Sequence, residues 1–405
     1  MEGRDLAQEV RRPKKNQVEG ERVSGPDRNG EKGLPRFAVL GAGHGGVAMA
    51  ADLSLRGFPV TLYNRTQERI DPIIARGGIE VDGEVKGFAR LDRVTSHMDE
   101  VLDEADVIMV VVPAFAHEWM ARECAPHVQD GQILLLNPGR TGGALVFDNI
   151  FHQKRVRADV IIAEAETLLF ASRNVGPGQS KIFRIKNAVP VAALPATRTR
   201  EALQKINLAY PQFIPAANVL KTSLDNMGAI FHPAITILNT GWIEARMGEF
   251  EYYLEGVTPA VAKVLEAIDA ERLAVARALE VRAISAREWL EMAYGAVGDT
   301  LHEAMHNNDG YSGIKAPPNM KTRYLSEDVP ASLVPIASLG DYLGVPTFTI
   351  KTIIHLASLI HGVDYWKIGR TVRTLGLEGL TVPQIKKLVE EGRQAVPNQG
   401  EPPGR

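Results

Sequence analysis

The run Phe37-Ala38-Val39-Leu40-Gly41-Ala42-Gly43-His44-Gly45-Gly46 constrains this chain more than any other stretch, because an apolar strand ends there in a GxGxxG turn. The turn opens directly into the alanine-rich segment Val47 to Leu55. Strand, glycine turn and helix in that order make the layout of a dinucleotide site. Gly41 permits the tight turn, Gly43 lets backbone amides approach a pyrophosphate, and Gly46 lets the helix pack against the strand. The phosphates then lie on the helix N-terminus beside His44, where free N–H groups and the helix dipole favour negative charge. Three glycines in six residues also occur in ordinary loops, so the flanks give this pattern its weight.

At 405 residues, with 45% hydrophobic and 23% charged side chains, the chain suits two domains with a large core. A net charge of −3 and the lack of a basic face with interleaved aromatics argue against nucleic acid as a partner. A single cysteine, Cys124, excludes an internal disulfide and any multi-cysteine metal site, which fits a cytoplasmic protein. No segment is long and apolar enough to suggest a membrane span. Residues 1–34 alternate charges with few apolar residues and read as a disordered tail; 396–405 is a second one.

From 35 to 217, apolar runs of strand length alternate with helical patterns. Val60–Tyr63, Val107–Val112, Ile133–Leu136 and Val160–Ala163 are continuous Val/Ile/Leu-rich runs suited to parallel strands covered on both faces. Ile79 to Val85 reads as a hairpin turning at Asp82-Gly83. Strands of mixed pattern follow at Ile182–Ile185 and Val189–Leu194. From 218 to 395, Ala260–Leu279, Ala286–Tyr294 and Phe348–Ile360 carry helical periodicity. An α/β dinucleotide domain followed by an all-α domain leaves a cleft between them for ligands.

An NAD site usually has an acid at the end of the second strand, to accept hydrogen bonds from the ribose hydroxyls. Here the strand ends Tyr63-Asn64-Arg65-Thr66, and this amide, guanidinium and hydroxyl suit the 2′-phosphate of NADP, with NAD the alternative. Pro113 and Pro138 end two further buried strands on the same edge. The turn Asn137-Pro138-Gly139-Arg140-Thr141 offers Thr141 or Arg140 to the nicotinamide side, although plain connecting turns use the same residues.

The second region opens with polar residues set in an apolar helix: Lys221, Asn226, His232-Pro233 and, two turns on, Asn239. Pro233 disfavours helix geometry at His232, which places the imidazole at a break or kink. Further on, Arg323-Tyr324-Leu325-Ser326-Glu327-Asp328 supplies a guanidinium able to grip a carboxylate and an acid able to orient and charge a histidine.

Taken together, these segments resemble the NAD/NADP octopine and nopaline dehydrogenases, known as opine dehydrogenases. The resemblance runs from the glycine turn through Asn226, His232-Pro233 and Asn239 to Arg323–Asp328. It implies a Rossmann domain joined to an all-helical domain, of the 6-phosphogluconate-dehydrogenase-like kind, and a homodimer is compatible with the apolar content of the helical part. It also implies reductive condensation of a 2-oxo acid with the amino group of an amino acid. By the same resemblance His232 matches the catalytic histidine and Asp328, rather than Glu327, its paired acid. Arg323 matches a binder of the substrate carboxylate, with Asn226 and Thr141 as further substrate-side candidates.

Two other enzyme patterns compete. His302-Glu303-Ala304-Met305-His306 matches the zinc-protease HExxH, but its third-ligand candidates are already assigned and it runs into a helix end, so no metal is expected. A ketopantoate-type 2-oxo acid reductase would use Lys221 and Asn226, and would leave Arg323–Asp328 unexplained. A nonenzymatic NADP-binding sensor is the reading from another class.

Overall fold

The computed structural model describes residues 33–393, so the expected tails lie outside the described residues except for Gly33 and Leu34. All twelve strands of the described chain, interleaved with helices, lie before Val219: β1 (Phe37–Leu40), β2 (Val60–Tyr63), β3 (Ile79–Gly83), β4 (Gly87–Ala89), β5 (Arg93–Thr95) and β6 (Val107–Val110). Next come β7 (Ile133–Leu136), β8 (Ile161–Ala165), β9 (Phe170–Gly176), β10 (Gln179–Ile185), β11 (Val189–Leu194) and β12 (Phe213–Pro215).

Eight of them form one sheet in the order β12-β11-β8-β7-β6-β1-β2-β5. From β5 to β8 every neighbour is parallel, and β11 is antiparallel to β8. Strands β1, β6 and β7 are buried along their whole length, which explains runs such as Ile133-Leu134-Leu135-Leu136 with no polar alternation. The strand order reverses at β1, so the carboxyl ends of β1 and β6 flank a topological switch point, where α/β sheets bind ligands. This is a Rossmann arrangement.

The remaining strands make a second sheet, β4-β3-β10-β9, packed over the helix His44–Leu55. The hairpin expected at Ile79–Val85 exists, but its turn differs. Ile79 pairs with Ala89 and Val81 with Gly87, and β3 runs on to Gly83, so the reversal falls at 84–86. Gly83 cannot form the turn because it still pairs with Ile182 of β10, and a Cβ there would lie 2.0 Å from the Ile182 carbonyl oxygen.

From Val219 onward the described elements are helical apart from a single bridge between Glu251 and Lys315. Start and stop chemistry sets their limits. Thr258 caps Pro259–Ala278 with proline in its first turn, while Ser285 and Glu288 form a capping box for Ala286–Tyr294, which Gly295 ends in left-handed backbone. The helix Gly228–Leu238 continues through Pro233, so His232 sits within a helix rather than at a break. Pro233 lies in the second turn and deletes only the bond it would have made to the Ala229 carbonyl. We place the division between a dinucleotide-binding part, 35–217, and a helical part, from 218 onward, at this change of texture.

Candidate active site

The glycine turn closes against the switch point. A Cβ on Gly41, whose φ is 114°, would stand 2.5 Å from the carbonyl oxygen of Val111, just beyond β6. One on Gly46 would stand 1.7 Å from the carbonyl oxygen of Gly41, so helix and strand meet there only without a side chain. At Gly43, the N-cap of His44–Leu55, a Cβ would meet nothing within 4 Å, leaving the helix N-terminus open to approach. These three positions fit the pyrophosphate of a dinucleotide.

Asn64 sits at the end of β2 with both ends of its amide engaged: Oδ1 accepts from the Ala42 N–H at 3.1 Å and Nδ2 donates to the Thr66 carbonyl at 2.9 Å. It therefore fixes the glycine turn, leaving Arg65 and Thr66 as the exposed groups. The Arg65 guanidinium lies over the Trp119 ring, 4.9 Å from its centroid. His44 accepts the Asn174 N–H through Nδ1 at 2.9 Å, which ties the helix start to β9. Pro113 and Pro138 follow β6 and β7 at the same sheet edge.

His232 and Asp328, ninety-six positions apart, are brought together: Nδ1 is 2.9 Å from Oδ2. Asp328 is only 1% exposed, while the histidine is 21% exposed. With Nδ1–H donating to the carboxylate, Nε2 is left as the atom that can give or take a proton. Tyr324 stacks on the imidazole with centroids 4.3 Å apart, and burial, followed by the nearby Asp328, raises its phenol so that it stays protonated. The helix bearing His232 is pinned from behind, since its carbonyl accepts from Thr236 Oγ1 at 2.7 Å and from the Tyr252 hydroxyl at 2.8 Å.

The second oxygen of Asp328 lies 3.0 Å from Arg140 Nη1, and Arg140 Nε is 3.5 Å from Glu327 Oε1. Burial works against the Arg140 charge, but Asp328 and Glu327 outweigh it and hold the guanidinium above its ordinary value. Arg140 itself adopts a positive φ of 58°, which turns its side chain out of the post-β7 loop into the cluster. Glu327 also accepts the Ala114 N–H at 3.1 Å and Arg323 Nε at 2.6 Å. Arg323 is 63% exposed, so one edge of its guanidinium faces outward.

Not every candidate lies in this cluster. Thr141 is buried and its hydroxyl donates to the Ser223 carbonyl at 3.1 Å, so Arg140 is the residue of that turn which faces His232 and Asp328. Asn226 borders the cluster but donates to Ser332 Oγ at 2.9 Å. Asn239 ends the His232 helix by donating to the carbonyls of Ile235 and Gly256. Lys221, the lysine a ketopantoate-type site would need, is ion-paired to Asp225. The His302 and His306 rings lie tilted against each other with centroids 4.0 Å apart, both His306 nitrogens are at backbone carbonyls, and no group of three or more metal-ligating side chains occurs among the described residues.

Two residues outside the sequence-based set hold these loops in place. Arg370 donates from Nη1 to the carbonyls of Gly139 and Thr141, and from Nη2 to the Ala114 carbonyl and His117 Nδ1. It joins the loops after β6 and β7, and burial brings it down to about 10. Burial and the Arg370 charge together keep His117 neutral, as an acceptor at Nδ1 must be. Glu164, buried in β8, accepts from the Ala144 N–H, Thr222 and Ser223, joining the sheet to the first helix of the second part. An acid inside an apolar strand was a visible signal for Glu164, whereas nothing in Gly369-Arg370-Thr371 announces Arg370.

A glycine turn at the switch point and a buried acid–histidine pair define an NAD(P)-dependent oxidoreductase. Residues 215–361 match the family of NAD/NADP octopine/nopaline dehydrogenase, alpha-helical domain, and residues 37–180 match ketopantoate reductase PanE/ApbA. An opine dehydrogenase from Arthrobacter sp. (strain 1C) is 41% identical over 355 residues, covering 87% of this chain and 98% of that protein. The chain belongs to the opine dehydrogenase family, oxidoreductases that act on the CH–NH group of donors. Its fold matches octopine dehydrogenase in complex with NADH and agmatine at a TM-score of 0.75 and 22% identity, over 88% of this chain and 98% of that one. It also matches NADP+-bound yersinopine dehydrogenase at 0.67 and 16%, over 89% and 98%. No helix among the described residues is long and apolar enough to cross a membrane.

Proposed function

We propose that this enzyme condenses a 2-oxo acid with the amino group of an amino acid and reduces the product to a secondary amine dicarboxylate, with NADPH preferred. The observation that carries this reading is the His232 imidazole held through Nδ1 by the buried Asp328. A reduced nicotinamide supplies the hydride. His232 Nε2 gives protons to the oxygen that leaves as water, and Asp328 stabilises the imidazolium and fixes its tautomer. Arg140 holds the second oxygen of Asp328 in place, and the exposed edge of Arg323 holds the oxo acid carboxylate. The engaged Lys221 disfavours a simple 2-oxo acid reductase.

The test is the rate of NADPH and NADH oxidation across a grid of 2-oxo acids, with and without amino acids. Oxidation should require both partners; full activity with the oxo acid alone would make the enzyme a simple reductase.

The NADPH preference rests on Arg65 and Thr66 and on the lack of an acid at the end of β2. Replacing Arg65 with serine is expected to raise the KM for NADPH about tenfold or more, the worth of one charge-assisted phosphate contact, and to leave that for NADH unchanged. Equal effects on both nucleotides would remove the 2′-phosphate contact from the account. The reading also takes the enzyme to be a cytoplasmic homodimer, which sedimentation at low micromolar concentration can check.

A further inference from the structure

Next to the His232 cluster lies a second group of charges that the reading above does not use. Glu166 follows directly on β8, so it leaves the sheet on the edge that carries the glycine turn and the Arg140 loop. Its N–H is anchored on the Pro190 carbonyl at 2.9 Å. Two residues on, Leu168 lies against the glycine turn, 2.8 Å from where a Cβ on Gly45 would stand. Lys186, just past β10, bonds through its backbone to the Leu169 carbonyl at 3.0 Å, and its Nζ donates to Thr167 Oγ1 at 2.7 Å. Glu166 and Lys186 are thus held by one short segment, 166–169, beside the dinucleotide turn.

The surrounding charges are matched already. Lys221 pairs with Asp225, and Asp225 also faces Arg272 at 3.6 Å and accepts the Ile284 N–H at 3.0 Å. Arg140 is held by Asp328 and Glu327. Glu166 feels Asp225, Lys221 and Lys186 and is hydrogen-bonded by Trp289; Lys186 feels Glu166 and Arg140. Neither Glu166 nor Lys186 forms a contact ion pair among the described residues. Both are half-buried: burial, then Asp225, pushes Glu166 up to about 7, and burial brings Lys186 down to about 8 against the pull of Glu166. Two opposite charges partly withdrawn from water, each without a contact ion-pair partner, suit a ligand that brings both complements. A zwitterionic α-amino acid does.

Resting on the condensation reading, we propose that Glu166 and Lys186 are the dock for the amino acid: Lys186 pairs with its α-carboxylate, and Glu166 binds its α-ammonium and removes one proton. One N–H bond breaks with its electron pair left on nitrogen, and an O–H bond forms on Glu166. The freed lone pair attacks the carbonyl carbon of the oxo acid, whose C=O π pair moves to oxygen and takes a proton from His232. The nitrogen then gives up its second proton, which the His232 imidazole passes to the hydroxyl, so that the C–O bond breaks with its electron pair leaving as water and the nitrogen lone pair forms C=N. Once that carbon has received the hydride a reduced nicotinamide would supply and the C=N π pair has returned to nitrogen, Glu166 regains its charge by giving its proton to the secondary amine nitrogen of the product.

The experiment uses the full-length enzyme with Glu166→Gln, Glu166→Asp and Lys186→Met, measuring initial rates against each substrate across pH and nucleotide binding by fluorescence. Glu166→Gln and Lys186→Met should each raise the amino acid KM about tenfold or more, while the KM for the 2-oxo acid and the nucleotide Kd stay within about twofold. Wild type should show kcat/KM for the amino acid rising with pH through about 7, as Glu166 ionises, and Glu166→Gln should lose that limb. Glu166→Asp should restore the limb. An amino acid KM within about twofold of wild type in Glu166→Gln, or an equal rise for both substrates, overturns the dock. Failure of the condensation reading shows separately, as a wild-type enzyme that needs no amino acid.

Discussion

Replacing His232 with asparagine is expected to lower kcat by about 10²–10⁴-fold, the usual worth of a positioned acid–base group, with nucleotide Kd changed by less than about twofold. The split follows from placement. His232 lies on the helix Gly228–Leu238, whereas the turn proposed to hold the phosphates lies between β1 and the helix His44–Leu55. Asparagine keeps a polar amide near Asp328 but cannot carry a proton between pH 5 and 8. Steady-state rates together with fluorescence titration of NADPH read both quantities. A kcat within about tenfold of wild type would mean that the proton comes from elsewhere.

Replacing Arg140 with methionine should have the largest effect on stability, costing about 3–5 kcal/mol, because it removes one member of a buried charge network. Glu327 and Asp328 are each 1% exposed and Arg140 only 17%, so water replaces little of what is lost. Glu327 would keep Arg323, but Asp328 would keep only His232. Urea unfolding measures the loss, and turnover should fall with it as Asp328 loses its anchor. A variant as stable as wild type would show that Arg140 is not needed to hold the two carboxylates. Methionine is the useful replacement because it preserves much of the length and bulk of the arginine stem.

The main sheet was legible in the sequence because its strands are buried on both faces and therefore read as unbroken apolar runs, and the glycine turn was legible because only glycine fits its two tight contacts. Of the hairpin β9–β10 only Ile182–Ile185 was read as a strand; β9 and the pairing were not, since that face is half exposed and carries no sustained apolar run. The Asp82-Gly83 turn was misplaced because Gly83 serves strand pairing with β10, a partner about a hundred positions away. In the site, His232 and Asp328 stood out by their residue types and by family resemblance. The choice between Arg140 and Thr141 could not be read from a turn that offers both. It is set by the positive φ of Arg140 and by the Ser223 carbonyl that engages Thr141. Arg370 was invisible for the same kind of reason: its four acceptors come from loops more than two hundred positions earlier.

The most direct test of the central claim follows one atom. Wild-type enzyme, given NADPH deuterated at the transferring position of C4 together with a 2-oxo acid and an amino acid, should place the deuterium on the carbon that joins the new secondary amine nitrogen to the oxo acid's carboxylate, as mass spectrometry and NMR of the product would show. Deuterium found instead in a 2-hydroxy acid, with the amino acid recovered unchanged, would contradict the account.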